Sequence, residues 1–119
     1  MTDSNYQKGL GGEERAERYL VQTRGMVPLE RRYHSPFGEI DLVMRDGETL
    51  AFVEVKARSR GRRGAGLMAV TREKQRRLTL TALQYIAQHK TDCPIRFDVI
   101  ELTADGVAYV PNAFEAKEY

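Results

Sequence analysis

The sequence has one cysteine, Cys93, among its 119 residues, which excludes an internal disulfide. No apolar run approaches the roughly 20 residues that a membrane-spanning helix needs. The opening stretch MTDSNYQKGLGGEERAERYL lacks the apolar segment of a signal peptide, so a cytoplasmic protein without a membrane partner is expected. Repeats and low-complexity tracts are missing. Histidine is scarce, and His34 and His89 are isolated, so neither is read as catalytic. What remains is ordinary for a globular chain: 41% of residues are apolar and 30% charged. The length suits one hydrophobic core, and a single domain over residues 1–119 is expected, with flexible ends at 1–8 and 112–119.

The net charge of +2 hides a segregation of sign. Between Lys56 and Arg77, nine basic residues meet only one acid, Glu73, a local +8; the remainder holds 10 basic residues against 16 acids, −6. Seven of the nine are arginine, whose forked guanidinium suits phosphate, and the glycines of SRGRRGAG let a loop follow an irregular surface. A solvated face is the plain alternative, but the composition favours a polyanion, so nucleic acid is the expected partner. The candidate contacts are Arg58, Arg60, Arg62 and Arg63 in the loop, then Arg72, Lys74 and Gln75 at the start of the next helix. For Lys74 and Gln75, a solvated helix end is the simpler reading.

Periodicity supplies the elements. GEERAERYLVQTR places Ala16, Tyr19, Leu20 and Thr23 on one side of a helix that Gly25 ends. MVPLERRY reads as a strand with an irregular start at Pro28, followed by hairpin strands at about 38–45 and 49–58. Thr71 can cap a second helix whose Leu78, Thr79, Ala82, Leu83, Tyr85 and Ile86 share an arc and which stops near Lys90. PIRFDVIEL is a further strand and VAYV a short last one, with PNAFEAKEY as a polar tail able to form a helical turn. The order is αβββαββ.

The hairpin GEIDLVMRDGETLAFVEVKAR raises the functional question, because carboxylates are poor strand formers and like charges opposed across a hairpin repel. With Asp46 and Gly47 as a two-residue turn, Glu39 falls opposite Glu54, and Asp41 lies diagonal to it. Glu39, Asp41, Val43, Phe52, Glu54 and Lys56 then share one face, and Ile40, Leu42, Met44, Ala51, Val53 and Val55 the other. An exposed face with solvated acids is one reading. Phe52 and Val43 on the acidic face argue that part of it is covered, and covered carboxylates need a cation. A hard divalent ion such as Mg²⁺ or Mn²⁺ fits Asp41 and Glu54.

Asp41, a gap of 12 residues, then Glu54, Val55 and Lys56 resembles the PD-(D/E)XK signature of restriction-endonuclease-like nucleases, with Ile40 in place of the motif's proline. GEERAERYL, GEIDLV, FVEVKAR, AV followed by Lys74, and RFDV, over about residues 9–102, further resemble the YraN-like family, which is similar to archaeal Holliday-junction resolvases and is described as predicted endonucleases. The resemblance implies a restriction-endonuclease-like α/β domain, a mixed sheet flanked by helices. It also implies metal-dependent hydrolysis of phosphodiester bonds in DNA, branched or structured DNA included, in repair or recombination. Asp41 and Glu54 would be metal ligands with the Val55 carbonyl a third, and Lys56 would orient the attacking water. Glu13 matches the helix-one acid of the resolvases, or is an acid stabilised by the helix dipole. Glu39 would be an outer or second-metal ligand. Arg32 departs from the family, whose members often have Asn there. Asp98 and Arg96 read as a structural pair, with Arg58 a further partner for Asp98. A homodimer is expected from the resemblance alone. The alternatives are a non-catalytic nucleic-acid-binding module of a repair or recombination complex, and a structural or regulatory protein that binds metal for stability only.

Overall fold

A computed structural model describes the backbone of residues 4–57 and 70–116, with side chains over 12–57 and 70–116. The elements are α1 (Ser4–Arg24), β1 (Val27–Ser35), β2 (Gly38–Asp46), β3 (Thr49–Ala57), α2 (Arg72–His89), β4 (Ile95–Thr103) and β5 (Gly106–Phe114), in the expected order αβββαββ. The strands form one sheet in the order β1-β2-β3-β4-β5, antiparallel except where β3 meets β4. Parallel neighbours need a long crossover, and α2 lies on it.

Each helix covers one face of this mixed sheet. Ala16 and Leu20 of α1 pack with Met26, Leu42, Met44, Ala51, Val53, Ile100 and Leu102. On the other face, Leu78, Ala82 and Tyr85 of α2 pack with Tyr33, Ile40, Val43, Leu50, Phe52 and Phe97. The central strands β3 and β4 are therefore buried on both sides, whereas β1 and β5 are largely open.

Local chemistry sets the helix ends. Gly25 takes a φ of 68° after α1, a conformation glycine adopts without penalty, and its N–H donates to the Val21 carbonyl at 3.1 Å. The Thr71 hydroxyl accepts from the Lys74 N–H at 3.1 Å and caps α2, which ends at Lys90 as expected. Two expected core positions differ, and one position not expected there is buried. Thr23 and Leu83 are exposed, Leu83 by 51%, while Thr81 is buried because its hydroxyl shares a 2.7 Å hydrogen bond with Ser35 of β1.

The hairpin register also differs from expectation. Asp46 pairs with Thr49 and Leu42 with Val53, so Gly47 and Glu48 make the turn and the partner of Leu42 becomes Val53 rather than Ala51. Asp46 is held in the strand by Arg96 at 2.9 Å, and Gly47 takes the positive φ of 63° that the turn requires. Glu39 is thus not opposite Glu54. Nor does Ile40 share a face with Leu42: the two lie in different core layers, so β2 breaks its alternation at Asp41. Finally, the segment after Val110 is strand to Phe114 instead of a helical turn. Its irregularity at Asn112, with φ 53°, is secured by buried Asp98, which accepts the Asn112 N–H at 2.8 Å, the Tyr109 hydroxyl at 2.6 Å and the Arg96 guanidinium at 2.9 Å. Asp98 and Arg96 do form a structural pair; Arg58 lies outside the described residues.

Candidate functional site

Asp41 occupies the break in β2. The ladder stops at Leu42 on the β3 side, and on the β1 side Arg31 pairs with Leu42 and Tyr33 with Ile40, leaving Arg32 and Asp41 out between them. Arg32 has a φ of 52°, which turns its backbone out of the regular strand. Freed from the ladder, the Asp41 carboxylate accepts the Val55 N–H at 2.8 Å. A strand residue's N–H and C=O point to the same neighbouring strand, so the Val55 carbonyl also faces the Asp41 side.

Glu54 is buried beside this carboxylate on β3. Burial, then the charge of Glu54, pushes Asp41 from 3.8 up to about 7, while the Val55 N–H pulls it down and Glu13 and Glu39 add to the rise. Four acids therefore bear on one point. The cation nearest Glu54 comes from α2: the Lys74 ammonium lies 3.1 Å from its Oε1. Sequence reasoning had left only Lys56 near these acids, because no local pattern reports a contact between β3 and the first turn of a helix twenty residues later.

The other candidate residues divide clearly. The Arg32 Nε–H donates to both carboxylate oxygens of Glu13, at 2.9 and 3.0 Å, so Glu13 faces the site through a partner of opposite charge. Glu39 is more exposed and lies 3.4 Å from His34. Lys56 is half-buried and makes no ion pair among the described residues. Gln75 is turned back onto its own helix start, its amide donating to the Val70 carbonyl at 3.1 Å. Arg72 is exposed at the head of α2. Arg58, Arg60, Arg62 and Arg63 lie outside the described residues.

Whether this arrangement suits a metal can be judged from its donors. Among the described residues no group of three His, Cys, Asp or Glu side chains converges as a closed cage. Asp41 and Glu54 supply two hard carboxylates, and a nearby backbone carbonyl a third oxygen. That is a donor set for an ion that keeps several waters, as Mg²⁺ does, rather than for Zn²⁺. Burial first, and the charge of Glu54 second, raise the Asp41 pKa, and both penalise its ionised form until a cation binds. The residues fit such an ion.

Residues 12–102 match the uncharacterised protein family UPF0102. The chain is 46% identical to a UPF0102 protein of Aeromonas hydrophila subsp. hydrophila over 110 residues, 90% of this chain and 84% of that one. It is 44% identical to a UPF0102 protein of Geobacter metallireducens over 120 residues, 97% of this chain and 98% of that one. A third relative, from Herminiimonas arsenicoxydans, is 43% identical over 108 residues, covering 91% and 86% of the two chains.

Proposed function

The chain belongs to the uncharacterised protein family UPF0102, and we propose that its site is that of a metal-dependent endonuclease acting on DNA, of the PD-(D/E)XK type. The observation that carries this reading is the buried pair Asp41 and Glu54 at the break in β2, where burial first and the charge of Glu54 second push Asp41 up to about 7. The Asp41 and Glu54 carboxylates and the Val55 carbonyl would hold Mg²⁺ or Mn²⁺. When bound, such an ion supplies positive charge to a phosphate oxygen.

The chain's own residues do the rest. Lys56, half-buried and without an ion-pair partner among the described residues, is free to orient a water and to offset charge that develops on the phosphate. Lys74 already contacts Glu54 and needs only a side-chain rotation to exchange that carboxylate for a phosphate oxygen. Glu13 and Arg32 hold each other in place beside Asp41. The basic stretch from Lys56 to Arg77 would hold the backbone on either side of the cut.

One observation favours the non-catalytic nucleic-acid-binding module: Lys74 already partly neutralises Glu54. One experiment separates the two. Purified protein is incubated with linear, single-stranded and four-way-junction DNA, with Mg²⁺, Mn²⁺ or chelator. The nuclease reading expects ion-dependent cleavage that Asp41→Asn, Glu54→Gln and Lys56→Ala each reduce by at least about 100-fold, the usual scale for removing one electrostatic catalytic group. Lys56→Ala should keep DNA affinity within a few-fold. Binding without cleavage under every condition would leave the binding module standing.

A further inference from the structure

The turn between β1 and β2 carries an aromatic side chain where turns normally hold polar ones. Ser35 pairs with Gly38, leaving Pro36 and Phe37 as the two turn residues, and Phe37 is 45% exposed. The turn is fixed to α2. Ser35 shares its 2.7 Å hydrogen bond with Thr81, and the Ser35 hydroxyl also accepts the Phe37 N–H at 3.0 Å. The Gln84 amide donates to the His34 carbonyl at 3.3 Å. Gly38 abuts the helix: a Cβ there would stand 3.6 Å from the Cβ of Arg77, an ordinary contact distance. The aromatic ring is therefore presented on a braced turn, with little backbone freedom left to lose on binding.

Phe37 lines an open cleft of about 570 Å³ together with His34, Glu39, Arg76 and Arg77. The two guanidiniums are held by Glu73, at 3.7 Å from Arg76 and 3.1 Å from Arg77, and Glu39 is engaged by His34. The cleft abuts the carboxylate site through two elements. Glu39 lies two residues from Asp41 on β2. Arg77 stands three residues after Lys74 on α2, a rise of about 4.5 Å along the helix, and Lys74 reaches Glu54. A single exposed phenylalanine is unremarkable on its own. A braced one between arginines, beside clustered acids, matches the pairing of stacking platform and basic groove that binds unpaired nucleotides.

We infer that the Phe37 cleft is a stacking subsite for an unpaired base. The substrate class is then nucleic acid with a single-stranded or unstacked nucleotide next to the phosphate at Asp41 and Glu54, with Arg76 and Arg77 on its backbone. The inference rests on the nuclease reading for the second half of that statement and on the cleft alone for the first.

The test is fluorescence anisotropy at fixed salt with chelator present, so that cleavage plays no part. The probes are a fully paired duplex and the same duplex interrupted by a short single-stranded gap. Wild-type protein should favour the gapped probe. Phe37→Ala should weaken gapped binding by roughly 5- to 100-fold, the range for one lost base stack, while paired binding changes by less than about twofold. Phe37→Trp should restore the preference, and unchanged melting of both variants confirms the fold. Equal affinity of wild type for the two probes, or a Phe37→Ala variant that keeps the gap preference, overturns the subsite. DNA cleavage with no dependence on Phe37 overturns the subsite and spares the nuclease, whereas a Phe37-dependent gap preference without cleavage does the reverse. Failure to bind either probe overturns both.

Discussion

At the residue scale, Asp41 concentrates the consequences. Its folded pKa of about 7 lies above the ordinary 3.8, so between these values the folded chain binds the extra proton and the unfolded chain does not. Stability therefore falls as pH rises from about 4 to 7 and levels off above that. Asp41→Asn keeps an oxygen for the Val55 N–H but cannot ionise. Without metal it should be more stable than wild type by about 1–3 kcal/mol at pH 8, the shift discounted for partial solvent access, with the difference vanishing near pH 4. Urea melts at pH 4, 6 and 8 with chelator measure this, and a difference that does not grow with pH would contradict it. Millimolar Mn²⁺ should raise the wild-type melting temperature and raise that of Asp41→Asn much less. The nearness of Asp41 to Glu54 was legible in the spacing of two carboxylates on one hairpin. The register of that hairpin was not, because Arg96, fifty residues on, holds Asp46 in the strand and moves the turn by one position. Glu13 with Arg32 and Glu54 with Lys74 were equally hidden, since each joins elements whose packing no local pattern encodes. The φ of 52° at Arg32 is a conformation that Asn enters at lower cost than Arg does.

At the element scale, α2 was the most legible part of the chain. Thr71 as cap follows from side-chain chemistry alone, and the helix stops at Lys90 as expected. The stop is suboptimal: Lys90 sits at φ 49°, where a side chain is penalised and glycine is not, and its N–H bond to the Ile86 carbonyl does not involve the side chain. Lys90→Gly should stabilise the protein by about 0.5–1 kcal/mol, read from the urea midpoint at constant slope. A loss of stability would mean that the lysine side chain makes a contact worth more than the strain. β5 was the least legible element. Its continuation through Pro111 depends on Asp98 taking the Asn112 N–H, a long-range contact behind a sequence that reads as a polar tail.

At the scale of the whole molecule, the segregation of charge dominates. The four arginines of RSRGRR can each release counterions from DNA, so log affinity should fall steeply with log salt, by roughly 0.9 per phosphate contact on duplex. Replacing Arg58, Arg60, Arg62 and Arg63 with Gln should flatten that slope by about 2 to 4 units on the same arithmetic and weaken binding across all sequences tested. Identical slopes for variant and wild type in a salt titration would reduce the run to a solvated surface. The αβββαββ order and the helix on each face were legible because strand runs, turns and caps alternate along the chain. The buried centre of β3 was harder to read, since a strand covered on both sides loses its polar alternation.

The two ends of the sheet have a further consequence. An open strand edge invites another chain to add to it, which is how many β proteins form fibres. Here each outer strand carries a proline, Pro28 in β1 and Pro111 in β5, and each has a register break, between Pro28 and Glu30 and opposite Phe97 to Val99. Missing donors and broken spacing make both edges poor templates. The protein can therefore keep a five-stranded sheet at high concentration without its copies zipping together.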